Sequence, residues 1–283
     1  IKKIESNAFY ECSKLKKIII PKDSKLQSIG NLSFYNTMID EIYIPSKVNK
    51  IGYGCFKGAS QLKSIVILSE NKNFKYLDNK LLISKIDENS EQYDNILFAR
   101  LDIDDVVIPS YIKKIDNSSF SGCNCLKKIS FSANSHIIKL GENAFSNCSS
   151  LTEIYIPSSL KIIDCNCFSN CSNLEKINFE NDSHLFCIRP YAFSNCDSLK
   201  AISIPDSVQY LDNFAFQYCY NLKCFNLPNK SNLTIIGFSV FESTEIENFT
   251  IPSNVEYVGE GLFDGCLSLT EISIPSSIKI FGN

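Results

Sequence analysis

The chain has 283 residues, of which 44% are hydrophobic and 21% charged, and its formal net charge is −3. This balance excludes a disordered chain and provides enough apolar side chains for an extensive core. The mildly acidic charge, together with the absence of a basic run, argues against a nucleic-acid partner. We also expect no membrane insertion within this segment, because no apolar run is long enough to span a bilayer.

A repeat built around one phenylalanine begins at the first residues and continues through the chain. Fragments such as NAFSNCSSL, NCFSNCSNL and YAFSNCDSL align on it, and apart from one interval of 64 residues the spacings are 22 to 25 residues. This self-similarity predicts a single solenoid over residues 1–283, with about 11 repeats. Residues 1 and 283 fall inside repeats, so we expect a fragment of a longer array. The anchors are Phe9, Phe34, Phe56, Phe120, Phe145, Phe168, Phe193, Phe216, Phe241 and Phe263.

Each repeat begins with a short strand and continues with turns. In LTEIYIP (residues 151–157) apolar residues alternate, which predicts a strand with one buried face, and the proline ends its pairing. Strands stacked one repeat apart require a parallel sheet, which we place on the concave face. The second apolar set, such as Val208, Leu211 and Phe216, lies between breakers too close together for a full helix. We therefore predict short turns and 3₁₀ pieces on the convex face.

The interval of 64 residues predicts a degenerate repeat plus an insertion at about residues 70–105. Two apolar runs, residues 80–83 and 95–98, flank the polar stretch SKIDENSEQYD. This pattern is typical of a β-hairpin, and we expect it to project from the solenoid. Because insertions break the monotony of a repeat, the hairpin is a candidate binding element.

The recurring pattern IPxSVxxIxxxAFxxCxxLxxI resembles the BspA-like leucine-rich repeats over essentially the whole chain. The resemblance implies a right-handed leucine-rich-repeat solenoid. It also implies adhesion at the surface of mucosal bacteria or protozoan parasites, and therefore a cell-surface or secreted protein. The alternative is an intracellular structural scaffold in a larger assembly such as the cytoskeleton. The repeats at Phe34 and Phe241 depart from the pattern, because they lack its cysteine.

Seven of the thirteen cysteines occupy the same repeat position, where one repeat has Ala59 instead. A position that accepts cysteine or alanine favours a small buried side chain, so we predict a ladder of buried thiols. The CNC sequences at 123–125 and 165–167 are too closely spaced for structural zinc, and we expect no metal. Cys125, Cys165 and Cys224 fall at less buried positions, and exposed thiols suit a reducing compartment. This observation conflicts with the surface role, and both compartments stay open.

No catalytic motif is recognisable, and the acidic residues are scattered rather than paired. His136 and His184 are 48 residues apart, which places them at the same loop position of two repeats, where we expect solvated turn residues. We predict a protein that is not an enzyme and has no cofactor.

The binding residues should be the outward ones of each strand, which the repeat does not fix. Aromatic and apolar members of this set are candidate hot spots, and charged members would tune the electrostatics. We expect a protein or glycoprotein ligand on this concave face or on the hairpin. The candidates are Lys17, Ile19, Tyr43, Lys63, Val66, Lys128, Glu153, Tyr155 and Lys176.

Overall fold

The computed structural model describes residues 1–87 and 89–282, which form a parallel β-solenoid of about 12 turns without a helix in those residues. The predicted leucine-rich-repeat solenoid is thereby confirmed. The strands, in chain order, are β1 Lys3–Ile4, β2 Ser28–Ile29, β3 Glu41–Ile44, β4 Lys50–Ile51, β5 Ser64–Ile67, β6 Phe74–Leu77, β7 Leu81–Ser84, β8 Asn95–Ala99, β9 Asp105–Ile108, β10 Lys114–Ile115, β11 Lys128–Phe131, β12 Lys139–Leu140, β13 Glu153–Ile156, β14 Ile162–Ile163, β15 Lys176–Phe179, β16 Cys187–Ile188, β17 Ala201–Ser203, β18 Tyr210–Leu211, β19 Cys224–Asn226, β20 Ile235–Ile236, β21 Asn248–Thr250, β22 Tyr257–Val258, β23 Glu271–Ser273 and β24 Ile280–Phe281.

The strands predicted from the IxIP pattern form one side of the solenoid, which we call the first face. Along β13 the residues Ile154 and Ile156 are buried, whereas Tyr155 between them is exposed, as the alternation predicts. The face is not one continuous sheet, because its strands pair in couples. The couples are β3 with β5, β9 with β11, β13 with β15, β17 with β19, and β21 with β23.

Pairing is nearly lost from one couple to the next. Four residue pairs join β13 to β15, whereas Lys128 and Glu153 make the single pair between β11 and β13. In the part of the chain that the structure describes, no strand pairing joins β15 to β17 or β19 to β21. The first face therefore consists of two-strand units, which matches the 48-residue period of Pro109, Pro157 and Pro205.

Turn length explains this coupling. The turns after β11, β15 and β19 are two residues longer than those after β9, β13 and β17. Each long turn folds back onto the short turn of its own couple and bonds to it, rather than to the next couple. The N–H donors and carbonyl acceptors are His136 to Ser110 at 3.1 Å, His184 to Ser158 at 2.9 Å, and Asn232 to Asp206 at 3.1 Å.

A second ladder of short strands runs along another side of the solenoid, where we predicted 3₁₀ pieces. That prediction is wrong, because the described residues contain no 3₁₀ turn and the chain is extended there. The two-residue strands from β10 to β24 belong to one sheet of 11 strands, which begins at β6. In this parallel ladder Ile162 lies beside Cys187, and Cys187 beside Tyr210. Backbone groups are thereby satisfied between repeats without helical turns.

The repeat phenylalanines form a continuous stack inside the solenoid. Ring centroids of Phe145, Phe168 and Phe193 are 5.2 Å apart, and successive rings are within 3° of parallel. The turns that carry them also pair between repeats, since the N–H of Phe145 donates to the carbonyl of Cys167 at 2.8 Å. Residues two positions before and after Phe145 have positive φ, 54° at Asn143 and 61° at Asn147. Asparagine tolerates this conformation better than most residues, which explains its recurrence there.

The cysteines of the repeat form the predicted buried ladder. Cys148, Cys171, Cys196 and Cys219 are fully buried, and all the cysteines are free thiols. Each of these four thiols also donates a hydrogen bond to the carbonyl of a phenylalanine in the preceding repeat, at 3.1 to 3.3 Å. Burial raises the pKa values of the Cys148 and Cys196 thiols well above the ordinary value.

The segment at about residues 70–105, described except for residue 88, contains three antiparallel strands in the order β6, β7, β8. The expectation that it projects from the solenoid is wrong, because all residues of β7 and β8 are buried. The side chains of Leu82 and Phe98 pack in the N-terminal core, and those of Ile83 and Ile96 in the C-terminal core. This meander therefore joins the two parts of the core.

Candidate binding surfaces

The predicted residues Tyr43 and Val66 lie side by side on the first couple of the first face. Both are partly exposed. Tyr43 belongs to the sequence EIYI of β3, which β13 repeats with Tyr155. In both strands a carboxylate two residues before the tyrosine raises the pKa of the phenol, through a hydrogen bond from Tyr43 to Glu41 and through the charge of Glu153 at Tyr155. The two tyrosines therefore stay protonated hydrogen-bond donors.

The predicted charged residues Lys128, Glu153 and Lys176 are neighbours in register on β11, β13 and β15. Asp105 precedes them on β9, opposite Lys128, and its carboxylate accepts a hydrogen bond at 2.8 Å from Lys80. Positive and negative side chains thus alternate along this part of the first face. Because each charge lies between opposite charges, the row has no strong field of one sign.

The structure places Lys17, Ile19 and Lys63 outside the strands, although we predicted them on strands of the first face. Ile19 is 78% exposed, and both lysines are exposed. Lys17 and Ile19 belong to the first repeat, whose long turn lies before β3, and β3 pairs forward with β5. Lys63 immediately precedes β5.

Sequence reasoning missed Val107, which is 59% exposed on β9 and lies opposite Ser130. Residues 70–105 were interpreted as an insertion, so the strand that starts at Asp105 was not aligned with the others. The signal was present, because Pro109 follows β9 as Pro157 follows β13.

Sequence reasoning also missed an apolar surface on the second ladder. The outward position of its strands is polar from β1 to β12, with Lys3, Lys50, Lys114 and Lys139 among its members, and apolar from β14 to β24. The adjoining position contributes an isoleucine and a phenylalanine. The resulting apolar strip contains Ile138, Ile162, Phe186, Tyr210, Ile235, Tyr257 and Ile280.

Several side chains of the apolar strip are strongly exposed for large hydrophobic residues. The exposed fraction is 48% for Ile138, 41% for Phe186, 37% for Ile235 and 57% for Ile280. The rings of Phe186 and Tyr210 pack edge to face with centroids 5.0 Å apart, next to a cleft of about 430 Å³. With strands about 4.8 Å apart, the strip extends over roughly 30 Å. A contiguous exposed apolar surface of this kind is typical of an interaction site.

The clefts of the first face lie where couples meet. One of about 450 Å³ separates β15 from β17 and is lined by residues 176–183 and 201–206. Another of about 640 Å³ lies beyond β19 and is lined by residues 225–231, 248–254 and 273–275. Lys176 is the predicted binding residue that lines one of them.

The two histidines do not meet in a common site. Each is exposed, and its Nδ1 atom lies 3.1 to 3.2 Å from a serine carbonyl of the neighbouring short turn. Among residues 1–87 and 89–282, no three histidine, cysteine or acidic side chains are grouped as a metal site would need. The same residues include no helix of the length and apolarity that crossing a membrane requires.

Several solved structures share this fold. A leucine-rich repeat protein from Eubacterium ventriosum has a TM-score of 0.77 and 24% identity, over 97% of this chain and 69% of that one. A leucine rich cell surface protein from Faecalibacterium prausnitzii has a TM-score of 0.57 and 22% identity, over 96% and 63%. The pneumococcal vaccine antigen PcpA has a TM-score of 0.61 and 19% identity, over 96% and 67%. At these identities the likeness shows the fold.

None of the curated proteins matches the sequence. The family model for the BspA type leucine rich repeat region matches residues 1–87, 91–186 and 182–283 in six copies. These matches cover nearly the whole chain, in the register that the phenylalanine stack and the cysteine ladder define. The chain therefore belongs to the family of BspA-type leucine-rich repeat proteins.

Proposed function

We propose that this chain is a non-enzymatic protein-binding module of the cell surface, with the apolar strip as its main docking surface. The observation that carries the proposal is the row of exposed isoleucine and aromatic side chains on the second ladder. Large apolar side chains in one contiguous row are suitable hot spots, because they exclude water when a partner covers them. The predicted residues of the first face form a second candidate surface.

The charge of the same ladder indicates the chemistry of the partner. Its N-terminal half presents Lys3, Lys50, Lys114 and Lys139 along the row that becomes apolar beyond β12. Lys114 and Lys139 have carboxylate partners at 3.0 and 2.9 Å, whereas Lys3 and Lys50 are exposed. A partner that fits presents an apolar strip of its own beside an acidic patch. Support for the surface location comes from the family and from the names of two similar structures, a cell surface protein and a vaccine antigen.

Binding of the full chain to immobilised extracellular-matrix proteins and to cultured epithelial cells tests the docking surface. We expect the double variant Phe186→Ser, Ile235→Ser to bind at least about tenfold more weakly, because two hot-spot side chains are removed. Tyr155→Ser is the matched control, since it removes an aromatic side chain of similar exposure from the first face.

Three outcomes separate the surfaces. Loss in the double variant alone supports the strip, whereas loss in Tyr155→Ser alone transfers the site to the first face. Undiminished binding after protease treatment of the cells contradicts a protein partner. Failure of the wild-type chain to bind any of these surfaces contradicts adhesion.

The alternative function is an intracellular structural scaffold, and the thiols favour it. Cys12, Cys125 and Cys224 are exposed and free. Exposed free thiols are typical of a reducing compartment, whereas secreted proteins usually pair theirs. A scaffold would use the same apolar strip to pack against another subunit of its assembly.

The state of the cysteines and asparagines in the source cells tests the compartment. The sequence contains seven Asn-x-Ser/Thr triplets, which would be glycosylation acceptors in a secreted eukaryotic chain. Intact mass after alkylation of the native protein, with and without reduction, measures both features. For a surface protein we expect blocked cysteines or added glycan mass. Thirteen alkylated cysteines without glycan mass would instead support the scaffold.

A further inference from the structure

A polar cleft interrupts the second ladder where the antiparallel meander enters it. The strand β4 pairs with β2, whereas the long sheet begins at β6, so the two parts of the ladder are not joined. The resulting cleft has a volume of about 310 Å³, within the range of small-ligand pockets. Its apolar lining is Ile51, Phe74 and Leu97, and its polar lining is Asn49, Lys50, Asn73, Ser84, Lys85, Asn95, Lys114 and Asp116.

Asn95 provides a buried acceptor in this cleft that nothing in the described chain satisfies. The side chain is 95% buried, since its exposed fraction is 5%, and its Oδ1 atom has no hydrogen-bond partner. The orientation of the amide is fixed, because its Nδ2 atom donates to Asp116 Oδ2 at 3.3 Å and to Ser84 Oγ at 3.2 Å. A flipped amide would place two oxygens against each other at Asp116. Leaving a buried acceptor unpaired is costly, so the site favours a ligand that donates a hydrogen bond.

The cleft also has an excess of positive charge. Lys50, Lys85 and Lys114 line it with one carboxylate, that of Asp116, which pairs with Lys114 at 3.0 Å. Lys50 is exposed and has no ion-pair partner among the described residues. Lys85 lies 5.5 Å from the ring of Tyr93, where its ammonium group is held above the aromatic face. Lys50 and Lys85 are therefore available to an anion.

We propose that this cleft binds a carboxylated sugar. The carboxylate would pair with Lys50 and Lys85, a ring hydroxyl would donate to Asn95 Oδ1, and the apolar C–H face would cover Leu97 and Phe74. A simple inorganic anion satisfies the lysines but cannot donate to Asn95. A neutral sugar satisfies Asn95 but leaves the lysines without a counter-charge. The site differs from the apolar strip, so protein binding and sugar binding can succeed or fail independently.

Ligand-observed NMR titration of the full chain with D-glucuronate, D-glucose and acetate tests the proposal. We expect glucuronate to bind at least about tenfold more tightly than either of the others, because only glucuronate makes both kinds of contact. Lys50→Met should weaken glucuronate binding about five- to tenfold, through the loss of one charge-assisted hydrogen bond. Lys3→Met is the matched control, since Lys3 occupies the same position of the ladder away from the cleft and should have no effect.

Asn95→Leu tests the buried acceptor. It should reduce glucuronate binding about tenfold without changing that of acetate, because the hydroxyl loses its partner. Should this variant fail to fold, Lys50→Met alone decides, since Lys50 is exposed. Equal affinity for acetate and glucuronate, or unchanged glucuronate binding in Lys50→Met, overturns the proposal.

Discussion

Phe168→Ala should lower the free energy of unfolding by about 3–5 kcal/mol, as is typical when a fully buried aromatic side chain is removed from a core. Phe168 has no exposed surface and stacks between Phe145 and Phe193, with centroids 5.2 Å from each. The substitution leaves a cavity in the middle of the stack, and both neighbours lose a parallel ring. Guanidinium denaturation followed by circular dichroism measures the change, and hydrogen exchange shows whether the loss is centred on the adjacent repeats.

Two control variants distinguish the stack from the general loss of aromatic area. Tyr155→Ala removes a ring that is 56% exposed and should change the stability by less than about 0.5 kcal/mol. Phe9→Ala removes the half-buried first ring, which stacks on Phe34 alone among the rings of the repeat, and should cost less than Phe168→Ala. An equal loss in Phe9→Ala and Phe168→Ala would contradict a stack whose energy comes from burial between neighbours.

In the native protein, three cysteines should react rapidly with a thiol reagent at pH 8, and eight should react only after unfolding. Cys12, Cys125 and Cys224 are exposed, whereas eight cysteines are buried and two are partly exposed. Burial raises the pKa of the Cys55 thiol to about 12, so roughly one molecule in 10⁴ carries the reactive thiolate at pH 8. The reagent also has to reach the sulfur, so the rate ratio should exceed about a thousandfold.

Stopped-flow absorbance with an aromatic disulfide reagent counts the thiols of each phase. Cys224→Ser should remove one equivalent from the fast phase, whereas Cys171→Ser should leave that phase unchanged, since Cys171 is fully buried. Unfolding in guanidinium should make all thirteen thiols reactive. A fast phase of eight or more equivalents in the folded protein would contradict the buried ladder.

Much of the fold could be predicted because the repeat states the same constraint many times. An apolar residue at one position is weak evidence, but ten phenylalanines in one register leave little alternative to a stacked core. The ladder of cysteines followed in the same way, because Ala59 at the same position indicated a small buried side chain. The hydrogen bonds from these thiols to phenylalanine carbonyls could not be predicted, since they depend on the path of the backbone between repeats.

The candidate surfaces were less predictable because they depend on what the repeat leaves free. Residues such as Ile162 and Phe186 lie among residues that we interpreted as turns, so the second ladder and its apolar strip had no sequence signal as a surface. The couples of the first face also escaped prediction, because the two extra residues of a long turn do not reveal which neighbour the turn contacts. Asn95 was assigned to an apolar run, and its unpaired oxygen is a property of three-dimensional packing.

The couples of the first face have a mechanical consequence. The phenylalanine turns and the second ladder bind each repeat to the next along the C-terminal part, whereas the first face lacks such bonds between β15 and β17 and between β19 and β21. A beam held on two sides and slit on the third bends most easily by opening or closing the slits. The protein should therefore flex toward or away from its first face, with the stiff sides acting as the neutral axis. A partner wider than the resting curvature could then be accommodated by many small angular changes instead of one hinge.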